Sequence, residues 1–383
     1  MRPNPPLIQS IVRNIICWFR RSDSLQISKI SLIFCALLAI PAFGAEHTIA
    51  VVGLVHSHVW GHFNKFVSGQ PAKLVGVAET EPELVAEAKK RGVPDNLIFS
   101  DWKKMLDQQK PEMVWAFVEN NRHLEIAQYC AARKIHILFE KPLASTFKDA
   151  VAIRDLAHKS GIYVMANYQM AWWPANYAAK DLADGGAIGK VWRLHGIVGH
   201  SGPTWHTGTT RFFVDWLTDP VKNGGGALVD FGCYNALWSV WYLGRPESVY
   251  AEVNHLRPSD FPKVEDNSTI LLHYPGAEAV LEGSWDLPRG FQDLEVLGLG
   301  GSITMRNGAV TLQKSDEKTA QSVPLQPLAP EASEPIAAMI HAIESKTEPQ
   351  GMTSLDMNVQ VMEIIDAAKE SIKTGKAVHL AKK

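Results

Sequence analysis

A lysine set immediately behind an apolar run, Lys141 of Glu140-Lys141-Pro142 after IHILF, is the side chain whose placement points most directly to chemistry. If that run is a strand of a parallel sheet, the loop behind it faces the crevice in which open α/β sheets hold their ligands. An ammonium there can donate to an alcohol or carbonyl oxygen and stabilise alkoxide charge as it develops. Glu140 beside it would form an ion pair or fix the local backbone. The competing reading is a plain surface lysine before a proline turn.

A second group sits earlier, in Gly53-Leu54-Val55-His56-Ser57-His58 at the end of HTIAVVGLV. Compared with the GxGxxG turn of dinucleotide-binding βα units, only the first glycine is kept. Val55 and His58 occupy the places where glycine lets a pyrophosphate reach the backbone and lets helix and strand pack closely. The helix start still offers N–H groups to an anion, so Gly53, Val55, His56 and His58 are retained as cofactor-binding candidates. Glu79 closes the next apolar run, KLVGVAE. An acid there accepts ribose hydroxyls and repels a 2′-phosphate, which favours NAD over NADP. Equally, Glu79, Glu81 and Glu83 suit the positive end of the following helix, and both readings stay open. His58 and His62 have the four-residue spacing of helical metal ligands. No Cys, Asp or Glu lies close to them in sequence, so the histidines are read as lining or capping the cleft, and no metal is expected.

The elements that position these groups alternate. Strand patterns at HTIAVVGLV, KLVGVAE, LIFS, PEMVWAFVE, IHILFEKP and IYVMANYQ are separated by helical patterns at VWGHFNKFVS, PELVAEAKKRG, DWKKMLDQQ, HLEIAQYCAARK and residues 147–160. Continuous apolar strands alternating with helices imply a parallel sheet covered on both faces. Residues 189–200 and 247–315 read instead as several strands with turns at YPGAE, LGLGGS and MRNGAV, an open and largely antiparallel sheet. One helix is expected to interrupt them, starting near Ala227 behind Gly224-Gly225-Gly226. A polar, proline-rich connection then leads to helices at 333–345 and 354–373.

Residues 1–45 read as a leader. Arg13, Arg20, Arg21 and Lys29 precede ISLIFCALLAIPAF and the small residues around Gly44-Ala45, the parts of a secretory signal. Export, with cleavage after Gly44, is expected. An uncleaved anchor is the alternative, and membrane attachment is expected only through it. Arg20-Arg21 is a weak twin-arginine feature. Removing the segment leaves 33 basic and 39 acidic side chains, a net of −6, which gives no basic field for nucleic acid. Cys17 and Cys35 leave with it. Cys130 and Cys233 have no metal-ligand spacing and are read as free, buried thiols.

FEKPLAST, the upstream ENNRHLEIAQYCAARKIH, and GGGALVDFGCYNALWSVWYLG resemble the signature segments of the Gfo/Idh/MocA oxidoreductases, and the likeness runs over residues 47–380. The resemblance implies an α/β chain: a Rossmann-type parallel-sheet domain at 46–168, a substrate-binding α+β domain with a large open, mostly antiparallel sheet at 169–330, and helices at 331–383 packing back on both. It implies NAD bound by Asn121, His123, Glu140 and Lys141 as well as the first turn. Members pair this lysine with an Asp and a His in D-x-x-x-H, the His acting as base. Asp230 matches the Asp, but the His position holds Tyr234. A phenol, with its reference pKa near 10, needs the lysine's charge to lower it before it can serve as base. A further implication is self-association through the open sheet. Trp173, Trp205 and Trp285, with His200, His206 and Arg211, are the expected substrate contacts, because indole faces stack on sugar rings while polar groups fix hydroxyls. Trp238 and Trp241 are read as core. The function expected is hydride transfer on a sugar or cyclic polyol. Transient oxidation in an NAD-using glycosidase or lyase, and a non-catalytic sugar-binding relative, are the alternatives.

Overall fold

The computed structural model describes residues 46–203 and 209–381, and the reading of 1–45 as a leader lies outside them. The first half runs β1 (Thr48–Val52), α1 (Val59–Ser68), β2 (Lys73–Ala78), α2 (Pro82–Lys90), β3 (Ile98–Phe99), α3 (Trp102–Gln109), β4 (Met113–Ala116), α4 (His123–Ala131), β5 (His136–Glu140), α5 (Phe147–Ser160) and β6 (Val164–Asn167). The strands form one six-stranded sheet in the order β3-β2-β1-β4-β5-β6, every pair parallel. The order reverses beside β1, and that switch point opens a crevice at the carboxyl ends of the strands. The expected strands are longer than those found because their last residues turn out of the sheet. Gly53 does so at φ +77°, and a Cβ there would come within 2.4 Å of Val118 and 3.0 Å of the Phe117 carbonyl.

The second half runs α6 (Pro174–Asp184), β7 (Val191–Gly199), α7 (Arg211–Leu217), α8 (Ala227–Asp230), α9 (Gly232–Leu243), β8 (Ser248–Asn254), β9 (Asn267–Tyr274), β10 (Ala277–Ser284), β11 (Phe291–Gly298), β12 (Gly301–Arg306), β13 (Ala309–Lys314), β14 (Gln321–Ser322), α10 (Pro335–Ser345), α11 (Leu355–Thr374) and β15 (Val378–His379). Its nine strands are ordered β14-β13-β12-β11-β7-β10-β9-β8-β15, antiparallel except where β7 meets β10. Leu194, Ala279, Leu281, Leu294, Val296 and Ile303 point inward and are buried, with α9 packed on β7 and β10 and α6 on β12. The alternate positions stand on the other face, where Leu271 is exposed.

Three helices differ from expectation. The single helix expected from Ala227 breaks at Phe231 into α8 and α9. Gly226 lets α8 approach β9, since a Cβ there would lie 1.9 Å from the Glu265 carbonyl. α6 and α7 lie in stretches not read as helix: α6 starts on Pro174, and α7 is capped by Thr210, whose hydroxyl accepts from Phe213 N. Cys130 and Cys233 are free and buried, and Trp238 is core. Among the described residues no helix is long and apolar enough to cross a membrane.

Candidate active site

β5 delivers two adjacent side chains in opposite directions. Lys141, buried, donates from Nζ to an Asp230 carboxylate oxygen and to the Asp230 carbonyl at 3.0 Å. The second Asp230 oxygen accepts from Trp285 Nε1 at 2.9 Å. The ammonium stands 4.9 Å from the ring of Tyr234, one turn into α9, which in turn meets Tyr168 edge-on at 5.1 Å. The Lys141–Pro142 peptide is cis.

Burial opposes the charge on Lys141, but the carboxylate beside it wins and raises its pKa above the ordinary lysine range. For Asp230 burial pushes upward and Lys141 more than offsets it, leaving the acid below its usual range. Burial is the largest influence on Tyr234 too, and here the charge of Lys141 does not overcome it: the phenol is raised. The expected lowering of Tyr234 by its lysine is therefore corrected. A fully desolvated phenolate loses more hydration than one nearby, already paired ammonium returns.

Glu140 faces the other way. Its oxygens accept from Asn167 Nδ2 at 2.8 Å and meet His58 Nδ1 at 2.8 Å. Burial raises the Glu140 pKa, and the histidine more than reverses it. His56, His58 and Glu140 each offer a ligand atom within 4.8 Å of the others. The expectation that no acid accompanies the histidines fails because Glu140 reaches them from a distant strand. The third histidine is elsewhere, with His62 packed 4.4 Å from Trp115. Burial drives the His56 pKa well down, with His58 and Lys141 adding to it.

The first turn borders a cavity of about 170 Å³ lined by Gly53, Val55, Glu79, Trp102 and Arg122. Val55 fills part of the place a second glycine would leave open, whereas the ring of His58 is drawn off towards Glu140. Glu79 accepts from the backbone N–H of Leu54 (2.7 Å), Thr80 (2.7 Å) and Glu81 (3.0 Å). α7 lies across this turn: Trp216 Nε1 donates to Val55 O at 3.4 Å, and Phe213 stacks edge-on with His56 at 4.9 Å.

Several expected contacts sit differently. Asn121 is exposed, its N–H donating to Lys222 O. Its buried neighbour Asn120 holds Asn223 instead, because the short 3₁₀ turn at 120–122 rotates Asn121 outward. His123 is fully buried, stacked 4.4 Å from Phe139, with Nδ1 donating to Leu143 O. Burial takes its pKa down to about 4. Arg211 is not at the substrate end, since it pairs with Glu83 at 2.5 Å beside the start of α2. Trp285 offers no open face; it is buried against Phe261 and orients Asp230. Trp205 and His206 lie outside the described residues. Trp173 and His200 do line one cavity, with Phe231, Phe291, Gln292 and Asn307. The His200 pKa is lowered, chiefly by desolvation at the cavity wall, opposed by Asp230 and reinforced by Lys141. Phe231 stands inside a segment already singled out by sequence. Gln292 and Asn307 carried no signal, being single polar residues near turns.

Residues 47–168 match the oxidoreductase family with the NAD-binding Rossmann fold, and residues 177–304 match the GFO/IDH/MocA C-terminal domain. The chain belongs to the Gfo/Idh/MocA oxidoreductases. It is 29% identical over 288 residues to a levoglucosan dehydrogenase of Pseudarthrobacter phenanthrenivorans, covering 66% of this chain and 70% of that one. It is 25% identical over 327 residues to an NADP(+)-type D-xylose 1-dehydrogenase of Haloferax volcanii, covering 80% and 94%. A levoglucosan dehydrogenase solved with NADH and levoglucosan superposes with a TM-score of 0.73 at 22% identity, covering 88% of this chain and all of that one. As a Gfo/Idh/MocA member, the chain is an NAD(P)-dependent oxidoreductase built on the switch-point crevice described above.

Proposed function

We propose that this Gfo/Idh/MocA protein is an NAD-dependent dehydrogenase of a sugar or cyclic polyol. The buried Lys141–Asp230–Tyr234 cluster at the carboxyl end of β5 is the observation that carries the reading. The crevice fits a dinucleotide. Asn120 Oδ1 and His123 Nε2 are buried acceptors without a partner among the described residues, and ribose hydroxyls and a carboxamide can supply the missing donors. Gly53, Val55 and Glu79 would border the adenosine half, and the turn before α1 the pyrophosphate. When bound, the nicotinamide supplies the hydride acceptor or donor. The protein's own groups manage the oxygen: Lys141 holds a proton and a full charge against developing alkoxide, Asp230 fixes that ammonium, and Trp285 fixes Asp230. Tyr234, kept protonated by burial, donates to the same oxygen. Glu79 places a carboxylate where a 2′-phosphate would come, which supports NAD.

The test starts from the purified protein. Denaturation should release NAD(H) into the supernatant or, if the cofactor exchanges, added NAD should be reduced by sugars. Lys141→Met should keep NAD binding and lower turnover roughly 10²-fold or more, the scale of a lost acid–base or oxyanion partner. Undiminished turnover in Lys141→Met rules out its role, and an inability to bind NAD in any form rules out the dehydrogenase. For residues 1–45 we propose export with cleavage near Ala45. N-terminal sequencing of the protein from its native compartment should begin at or close to Ala45, and recovery of Met1 on a membrane-extracted chain would count against it.

A further inference from the structure

The turn after β1 and the end of β5 bring together three side chains of metal-ligating type that the proposed hydride transfer leaves unused. His56 and His58 come from the turn, and Glu140 from a strand 82 residues beyond His58. One ligand atom from each lies within 4.8 Å of the other two, and among the described residues no other such trio occurs. An ion held tetrahedrally by nitrogen and oxygen keeps its ligand atoms about 3.3 Å apart. His58 Nδ1 and Glu140 Oε2, at 2.8 Å, have to part slightly. No pair has to close by more than about 1.5 Å to reach that spacing, a shift within side-chain rotation.

An ordinary buried ion pair of His58 with Glu140 accounts for only two of the three. His56 stands edge-on to His58 at 4.4 Å and cannot join that pair as a cation, because burial holds it neutral and His58 and Lys141 reinforce the effect. Neutral imidazole is the form that ligates. Among the described residues its ring makes one hydrogen bond, a long one, with Nδ1 accepting from His58 N–H at 3.3 Å. Glu140 is likewise in its ligating form, since burial works against its charge and His58 more than reverses that. Only the proton on His58 has to leave.

The surroundings suit a bound ion. Metal ligands are characteristically held from behind by further hydrogen bonds. Glu140 Oε1 accepts from Asn167 Nδ2 at 2.8 Å, and Asn167 Oδ1 accepts from Trp172 Nε1 at 2.8 Å, which leaves Oε2 for the histidines. Phe213 and Trp216 pack on His56 at 4.9 and 5.3 Å. The adverse charge of Lys141 is cancelled by Asp230. The His58 side chain stays 24% exposed, which gives an ion a way in.

We infer that His56, His58 and Glu140 form a site for a divalent transition-metal ion, with three protein ligands and a fourth position open to water. Two imidazoles and a carboxylate suit Zn²⁺ and Co²⁺, whereas Mg²⁺ and Ca²⁺ favour oxygen ligands. The inference does not depend on the dehydrogenase reading.

The experiment strips the tag-free protein with a chelator and titrates it with Co²⁺, whose visible absorption is intense in four-coordinate sites and faint in six-coordinate ones. One equivalent should bind with the intense absorption, and Zn²⁺ should displace it. His58→Gln and Glu140→Gln should each abolish the absorption or weaken Co²⁺ binding by roughly a hundredfold or more, and Asn167→Leu, which keeps all three ligands, by roughly tenfold. His62→Gln should bind as the wild type does, since His62 packs on Trp115 instead. Calorimetric midpoints of the stripped variants, set against the stripped wild type, establish that the fold survives. Should Glu140→Gln unfold, His58→Gln at the partly exposed ring decides alone. Absence of a bound equivalent, faint six-coordinate absorption only, or a Co²⁺ site indifferent to His58→Gln overturns the inference.

Discussion

Lys141 and Tyr234 keep their protons for different reasons, an ion pair in one case and desolvation in the other, and the consequence for rate against pH is shared. Both pKa values are raised, so both groups remain donors throughout the neutral range. Carbonyl reduction uses a donor, and it should be level through neutral pH and fall on the alkaline side. In the proposed mechanism alcohol oxidation passes a proton to the same pair, so its rate should climb with pH from neutrality upward without a neutral plateau. Tyr234→Phe should flatten the alkaline rise and lower oxidation on the same order as Lys141→Met, roughly 10²-fold. A silent Tyr234→Phe with an unchanged pH profile would remove the phenol from the reaction. His200 is a poor replacement base, since its Nδ1 accepts from Gly202 N at 3.0 Å and the neutral ring then carries its proton on Nε2. At this scale the sequence exposed Lys141, because a lysine ending an apolar strand is conspicuous. It could not expose the Glu140–His58 contact, whose partners lie 82 residues apart.

Glu79 joins three elements: the end of β2, the start of α2 and the turn after β1. The two sequence readings of it, ribose acceptor and helix-start acid, are not exclusive once its hydrogen bonds are seen. Its carboxylate already caps Thr80 and Glu81 and tethers Leu54, yet it still borders the nucleotide cavity. Glu79→Ser should therefore do two things. Losing three hydrogen bonds to a buried charge should destabilise the fold by about 2–3 kcal/mol. Removing the carboxylate should narrow the preference for NAD over NADP in equilibrium binding. Lost stability with an unchanged NAD/NADP ratio would leave only the capping role. The parallel order of the first sheet was legible because each βα unit is closed by local signals, an apolar run and then a cap. α7 was missed because its seven residues derive their stability from packing on the first turn rather than from their own pattern.

Between the two sheets the last helices act as ties, and the consequence concerns the whole chain. On α11, Asp366 accepts from the N–H of Phe147 at 2.8 Å and Lys369 donates to Ser145 O at 3.2 Å, while the same helix packs on β8 and α9. α10 buries Ile336 and Met339 in the core under the first sheet, and Glu334 just before it pairs with Lys65 at 2.7 Å. Residues 47–383 accordingly form one compact unit although two family domains match within it. Two domains sharing only a linker would unfold separately, the usual exception to two-state behaviour. Here neither sheet can lose its cover without uncovering the other, so calorimetry should give a single transition. NAD at about 100 times its dissociation constant should stabilise that transition by roughly 2.7 kcal/mol and move all of it, because α7 of the second half packs directly on the first turn that borders the nucleotide cavity. Ending the chain after residue 330 should abolish the shared transition and leave apolar surface exposed on the first half. Two calorimetric steps in the intact protein, only one of them shifted by NAD, would show that the ties are weak and that the halves fold independently.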